Sequence, residues 1–408
     1  KQALQEMLKT HFPDSSKEYN SMEECQYKHL EDVSFITEDS VINSIASFGP
    51  NKAPGPDGFK PCVLQHLGKD AVRYTSLLYR SSLRWGYVPK VWREMKVVFI
   101  PKMGKDDYSL AKSFRPITLS NFLLKGLERI IQWRVQDKIL NEKPLYNQHA
   151  YTRNLSTETA LTEAVDVIEK AIFQDQKVLA VSLDCTGAFD YIGFASAKKS
   201  MSEYGIENSI NKWYQNLLKG RRITANILGI EEHTVPKRGS PQGGVLSPLV
   251  WNIIADTLLS QFKGSPITAL GYADDVLLMV VGKDIFTMSD LMQKALDKVT
   301  KWGEENGLTF NPQKTQAMIF NMAHKKESRT LKMKGKEIPY VQELKYLGLT
   351  FDPKLSWKNH VNSRVKKCSK IWALTKCVVG QKWGLTPDKI LWIYTAIIRP
   401  IICYGCIV

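Results

Sequence analysis

Cysteine is sparse and unpatterned in this chain. The seven cysteines, Cys25, Cys62, Cys185, Cys368, Cys377, Cys403 and Cys406, follow no framework spacing, which argues against a disulfide-stapled scaffold and for a reducing compartment. Cys403-Tyr404-Gly405-Cys406 has no second pair and no histidine close by, so it supplies no structural zinc site. No apolar run is long enough to span a bilayer and no secretory signal is visible, so no membrane partner is expected. The sequence opens at Lys1 rather than Met and closes on the uncapped apolar run Ile401 to Val408, which reads as a truncation or as continuing further. Internal repeats and low-complexity tracts are missing. Acid is also in deficit: 41 Asp and Glu stand against 56 Lys and Arg, a net charge of +15, which suggests a polyanionic partner. From Val361 to Val408 the bias is stronger, with Arg364, Lys366, Lys367, Lys370, Lys376, Lys382, Lys389 and Arg399 opposed by Asp388 alone.

Against that shortage, the acids that sit in apolar surroundings stand out. Leu270-Gly271-Tyr272-Ala273-Asp274-Asp275 runs directly into Val276-Leu277-Leu278-Met279-Val280-Val281, so two adjacent carboxylates are expected at the tip of an apolar hairpin. An unpaired carboxylate buried there costs several kcal/mol, of order ~3 to 5, and a bound cation would offset it. Neighbouring residues on a strand point to opposite sides, so Asp274 and Asp275 are not equivalent ligands and a further acid must come from elsewhere. Asp184, which closes the strand-like run Val178 to Leu183, is the candidate. Taken singly, Asp184 could cap a strand and Asp274-Asp275 could occupy a solvated turn. Together they are the set needed to hold two divalent cations ~4 Å apart for in-line phosphoryl displacement. Such hard oxygen donors suit magnesium.

Order and context separate the readings. Between the acids lies Arg238-Gly239-Ser240-Pro241-Gln242-Gly243-Gly244, a Gly/Pro turn whose glycines permit close backbone approach, entering an apolar helix from Leu246 to about Phe262. The Asp184 segment, Pro241-Gln242-Gly243 and Tyr272-Ala273-Asp274-Asp275 resemble motifs A, B and C of reverse transcriptases, in that order. The Asn51-Lys52-Ala53-Pro54-Gly55-Pro56-Asp57-Gly58-Phe59 loop, Ala188-Phe189-Asp190, and Arg399-Pro400 with Tyr404-Gly405 are similar to the non-LTR (LINE-type) branch, jockey/I-like group. The resemblance covers nearly the whole chain from Asn51 onward, with looser matches at Met7-Leu8 and His11-Phe12-Pro13.

The resemblance carries further residues with it. Phe99-Ile100-Pro101-Lys102 and Phe114-Arg115-Pro116-Ile117 look like the finger motifs that grip the triphosphate, a role Lys and Arg suit chemically. Phe189, five residues after Asp184, holds the place of the aromatic gate against a ribose 2′-hydroxyl, which implies a dNTP substrate. Asp190 admits a second reading, as a hydrogen-bonding partner of that hydroxyl. Gln242 and Gly243 are implied to bind the incoming nucleotide. Gly307 to Thr315 resembles motif D and makes Lys314 the candidate general acid for pyrophosphate, and Leu344-Lys345-Tyr346-Leu347-Gly348 resembles the primer grip, at Leu347 and Gly348. Gln148-His149-Ala150-Tyr151 through Glu158 resembles a finger segment in which His149 is structural or template-side.

The fold expected is α+β: a right hand of fingers, palm with an antiparallel sheet and packed helices, and helical thumb. Expected divisions are an N-terminal extension at 1–45, fingers at 46–175 with part of 201–240, palm at 176–355 and partial thumb at 356–408. The stretch Met322 to Lys336 reads as an exposed loop or hairpin. The resemblance implies two Mg2+ ions, with Mn2+ as a possible substitute, an RNA template, a DNA primer or target, nuclear action, and an endonuclease domain outside this chain. A non-catalytic RNA-binding relative of the polymerase fold and an RNA-dependent RNA polymerase are the other classes compatible with the pattern; retained acids oppose the first, and nucleotide preference separates the second.

Overall fold

The computed structural model describes residues 1–13, 32–321, 329–378 and 383–408. The chain divides into two compact units, each assembled from separated segments. One comprises Lys1–Tyr146, Thr186–Leu258 and Trp302–Thr309; the other comprises Asn147–Cys185, Leu259–Lys301 and Phe310–Val408. Among the described residues no helix is long and apolar enough to cross a membrane.

The second unit is organised by the strand Lys177–Thr186, whose Val178-Leu179-Ala180-Val181 run is buried on both faces. A β-branched and apolar run without alternation is what a central strand requires. It pairs antiparallel with Asp275–Gly282 on one side and with Gln316–Phe320 on the other, and Ile267–Tyr272 extends the sheet beyond Asp275–Gly282. The helix Thr157–Phe173 buries Ala160, Leu161, Ala164, Val165, Ile168 and Ala171, a stripe at helical spacing. That stripe shares a core with Val178, Ala180, Leu277, Met279, Met318 and Phe320, alternate residues from one face of the sheet. Ser156 starts the helix by accepting from the Glu158 and Thr159 amides, while Thr159 returns the bond to the Ser156 amide.

The expected strand end at Asp184 is displaced. The strand runs two residues further, to Thr186, while Asp184 is the last residue paired with the neighbouring strand, which opens at Asp275. The expected helix after the Gly/Pro turn spans Ser247–Leu259 and tightens into a 3-10 turn at Ser260–Phe262. The C-terminal segment is helical at Lys358–Lys376, Pro387–Ile393 and Arg399–Ile402, in keeping with the helical thumb expected there. Of the Met322 to Lys336 stretch, 322–328 lies outside the described residues, and the remainder enters a hairpin of Lys332–Met333 with Lys336–Glu337.

The first unit carries a four-stranded sheet in the order Phe114–Leu119, Glu94–Pro101, Arg222–Ile227, Ile230–Thr234. Its outer pairs are antiparallel and its central pair parallel. The N-terminal helix Gln2–His11 buries Leu4 and Leu8 with Ala225, and Phe12 and Phe99 pack against them.

Replacing Ile168 by Ala should open a cavity in the core of the second unit and cost ~2 to 5 kcal/mol. Urea denaturation should show a lower midpoint; an unchanged midpoint would mean that this helix face contributes little to stability.

Candidate active site

Register decides where the acids meet. In the pairing of Lys177–Thr186 with Asp275–Gly282, Asp184 is directly opposite Asp275. Opposed residues project to the same face, with β-carbons ~5 Å apart. Counting back by twos from each acid reaches Ala180 and Val178 on one strand and Leu277 and Met279 on the other, the face covered by the helix Thr157–Phe173. The apolar stripe therefore ends in a pair of carboxylates. Asp274 is delivered separately, from the two-residue turn between Tyr272 and Asp275.

Three negative charges so placed penalise one another. Asp275 is exposed by surface area, yet the protein packed around its carboxyl desolvates it, and this, with Asp274 and then Asp184, pushes its pKa up to about 6. The same two acids act on Cys185, whose thiol is pushed up to about 12, chiefly by burial. At neutral pH that thiol is therefore held in its protonated form. Burial also raises the Tyr151 phenol, with a contribution from Asp274. Among the described residues no three His, Cys, Asp or Glu side chains are gathered into a finished metal cage.

Lys314 is brought to this cluster. Its Nζ lies 3.5 Å from Asp184 Oδ2, with both side chains partly in solvent. An exposed pair at that distance adds little stability, so its interest is the placement of an ammonium beside the acids. The placement is set by backbone: the Asn311 amide donates to the Asp184 carbonyl at 2.9 Å, and the Lys314 and Thr315 amides donate to the Asn311 carbonyl at 3.2 and 2.9 Å. Thr315, fully buried, lies with its hydroxyl 3.4 Å from the Asp184 amide.

The turn carrying Asp274 is strained. Ala273 has φ 54°, a left-handed conformation that costs an L-residue ~1 to 2 kcal/mol. Gln148, fully buried, holds it: Oε1 accepts from the Ala273 amide at 3.1 Å and from the Ala150 amide at 3.2 Å, while Nε2 donates to the Ala273 carbonyl at 3.4 Å. The Gly271 amide donates to Asn147 and the His149 amide donates to Gly271, so the segment around Gln148 is fastened to the strand that leads into the turn. His149 is buried between Thr159, 2.9 Å from Nδ1, and Glu163, 3.2 Å from Nε2, in agreement with a structural role. Gln148 carries no functional signal in the sequence beyond membership of its segment; its role follows only from the contacts.

Leu347 and Gly348 form the two-residue turn between Leu344–Tyr346 and Leu349–Phe351, with φ 44° and 82°. Positive φ at both positions is the hairpin geometry matching strand twist. The Tyr404 hydroxyl donates to the Leu347 carbonyl and Arg364 donates to the Gly348 carbonyl, so the turn is tied to the C-terminal helical segment. The preceding Tyr346 is buried and its hydroxyl has no hydrogen-bond partner among the described residues. Burial, Asp275 and Glu163 together raise its pKa well above the usual phenol range.

The remaining predicted residues belong to the first unit. The antiparallel hairpin pairs Ile100 with Arg115, and the Lys102 amide extends the ladder by donating to Ser113 at 2.8 Å. Lys102 and Arg115 thus fall on one face as diagonal neighbours. Arg115 is exposed, and Lys102 Nζ donates to the Lys112 carbonyl at 2.8 Å. The segments carrying Phe189 and Gln242 are joined through backbone. The Ser240 amide donates to the Phe189 carbonyl and the Gly239 amide to the Ile192 carbonyl, both at 2.7 Å. A β-carbon on Gly239 would fall 2.6 Å from the Asp190 carbonyl oxygen, so only glycine allows this approach. The Phe189 ring packs on Trp251, with centroids 5.7 Å apart. The Thr118 amide donates to the Gln242 carbonyl at 2.7 Å, and Gly243 lies against the Thr118 carbonyl. Glu128, a residue the sequence did not single out, supports the same loop: its buried carboxylate accepts from the Val245 amide at 3.2 Å, and burial pushes its pKa up to about 7.

The folded chain holds the Asp275 proton more tightly than the unfolded chain does. Between about pH 4 and 6 the native state therefore binds more protons, and stability contributed at Asp275 falls as pH rises through that window. In metal-free buffer, Asp275→Asn should melt higher than the parent at pH 7 and show a smaller fall in melting temperature across the window. A variant that melts lower than the parent at pH 7 would contradict this electrostatic account.

Comparison with known proteins accords with this geometry. Residues 100–351, well over half of the chain, match the reverse transcriptase (RNA-dependent DNA polymerase) family. The putative 115 kDa protein in type-1 retrotransposable element R1DM of Drosophila melanogaster is 26% identical over 366 residues, which cover 90% of this chain and 35% of that protein. The RNA-directed DNA polymerase from mobile element jockey of the same species is 26% identical over 393 residues, covering 91% of this chain and 41% of the relative. The chain thus spans less than half the length of these relatives. The apo telomerase structure from Candida tropicalis is 14% identical with a TM-score of 0.47, covering 70% of this chain and 53% of that one. With motifs A, B and C inside the matched span and their acids placed face to face by strand register, the chain belongs to the reverse transcriptase family.

Proposed function

We propose that this chain is the RNA-directed DNA polymerase portion of a non-LTR retrotransposon protein, extending a DNA primer with dNTPs on an RNA template. The observation that carries the reading is the Asp184–Asp275 pair on one face of the sheet, with Asp274 on the adjoining turn and the Lys314 ammonium 3.5 Å from Asp184. Carboxylates forced together, one of them with a raised pKa, favour a hard divalent cation. The donors Asp184, Asp274 and Asp275 are all oxygen, which fits magnesium, with manganese as a substitute. Asp184 and Asp274 would hold the ions, with Asp275 assisting. When bound, the ions activate the primer 3′-hydroxyl and stabilise charge on the α-phosphate.

The chain's own groups do the rest. Lys102 and Arg115 offer cationic donors on one face of their hairpin for the triphosphate. Phe189 excludes a 2′-hydroxyl, Gln242 and Gly243 receive the incoming nucleotide, and Lys314 donates a proton to pyrophosphate. Leu347 and Gly348 present a constrained turn to the primer. The +15 charge favours a nucleic-acid backbone through counterion release. Target-primed copying in the nucleus, with nicking supplied by an endonuclease domain elsewhere, completes the reading.

Asp184→Asn should lower primer extension on an RNA template by more than the ~100-fold typical of losing a metal's outer-shell partner, while template binding in a filter assay stays within a factor of two or so. Extension at the parental rate would remove Asp184 from the metal set. Phe189→Ala should narrow the preference for dNTP over rNTP, read as a ratio of kcat/KM values; an unchanged ratio would end the gate assignment. Parental enzyme that prefers rNTPs would instead identify an RNA-synthesising polymerase.

A further inference from the structure

Asp190 is placed unlike a residue that meets a sugar. Its side chain is 10% exposed, and its two carboxylate oxygens face different partners. Gln242 Nε2 donates to Oδ1 at 2.7 Å. Oδ2 lies 3.5 Å from His11 Nδ1, and the other ring nitrogen of His11, Nε2, is 3.0 Å from the Ala111 carbonyl oxygen. His11 is itself buried, at the C-terminal end of the helix Gln2–His11, with its ring 5.7 Å from that of Phe99. Leu4, Leu8 and Phe12 seat that end of the chain on the first unit's sheet.

We propose that Asp190 and His11 are positioning residues for Gln242, so that the N-terminal helix helps set the side chain that receives the incoming nucleotide. This rests on the reading of Gln242 given above. An amide can present either its oxygen or its nitrogen, and the two ends are exchanged by a simple flip. The bond to Asp190 removes that choice: Nε2 is drawn toward the carboxylate, and Oε1 becomes the end turned away from it, an acceptor suited to a hydroxyl donor such as a nucleotide's 3′-hydroxyl. A carboxylate so nearly buried needs partners for both oxygens to stay in place. The Ala111 carbonyl orients the ring by accepting from Nε2–H, and His11 becomes an ion-pair partner for Oδ2 when Nδ1 carries a proton as well. With Oδ1 given to Gln242 and Oδ2 turned to His11, the alternative of Asp190 as a 2′-hydroxyl reader is disfavoured.

The test is steady-state extension of oligo(dT) on poly(rA) with dTTP, using the 408-residue chain. Q242A should raise the KM for dTTP ~10-fold, with kcat and the KM for primer–template little changed, as expected for loss of a hydrogen bond made with a charge-held donor. D190A should do the same, H11A should do so by ~3-fold, and the Q242A/D190A double variant should be no worse than Q242A, because residues in one network are not additive. D190N, which keeps an acceptor for Gln242, should stay within ~3-fold of the parent. A charge-swap pair guards against misfolding of D190A: Q242E sets two carboxylates against each other and should be impaired, and D190N added to it should recover ~5-fold or more in KM. A Q242E/D190N enzyme no better than Q242E, or D190A and Q242A effects that multiply in the double variant, overturns the proposal while leaving Gln242 as a nucleotide contact. If Q242A leaves the KM for dTTP at the parental value, the reading of Gln242 itself fails and the proposal falls with it.

Discussion

Two carboxylates held opposite each other across an antiparallel ladder are the constraint on which the rest of the second unit depends. Asp184 and Asp275 occupy paired positions, and side chains at paired positions cannot turn to opposite faces. A slip of one residue in this register would send Asp275 to the other face and carry Leu277 and Met279 out of the helix-covered core with it. The same apolar alternation that buries those side chains therefore locks the acids together. Desolvation, with Asp274 and then Asp184, raises the Asp275 pKa, so stability is sacrificed locally for an arrangement that favours a cation.

Two strained turns are maintained by neighbouring groups. Ala273 takes a left-handed conformation because Gln148 holds its amide and carbonyl together. Leu347 does so in a turn whose carbonyls accept from Tyr404 and Arg364. Positive φ at residues other than glycine persists where surrounding bonds over-determine it. In both turns the groups that impose the conformation lie far along the chain from the turn itself.

The first unit relies on buried polar contacts to shape its glycine-rich loop. Asp190 takes the Gln242 side chain, Thr118 the Gln242 carbonyl, and Glu128 the Val245 amide at the entry to the helix Ser247–Leu259. A loop rich in glycine loses much conformational freedom on ordering, and these bonds offset that loss. Glu128 stays buried because a backbone donor and the nearby Lys125 and Arg129 act on its charge.

Much of this could be read in the sequence, because its signals are local. The apolar run before Asp184, the hairpin around Asp274-Asp275 and the Gly/Pro turn ahead of an apolar helix are each written in consecutive residues, and alternation and turn chemistry translate them directly into strands, turn and helix. Lys102, Arg115, Phe189, Gln242, Lys314, Leu347 and Gly348 were named by the resemblance of their segments to reverse transcriptase motifs, not by local pattern alone. What Gln148, Asp190, His11 and Glu128 do was invisible there: each acts across a gap in sequence, 125 residues from Gln148 to Ala273 and 52 from Asp190 to Gln242. Nothing in local pattern specifies such a partner. Tertiary packing decided it, because a buried polar group must find its hydrogen bonds among whichever donors and acceptors the folded chain brings within ~3 Å.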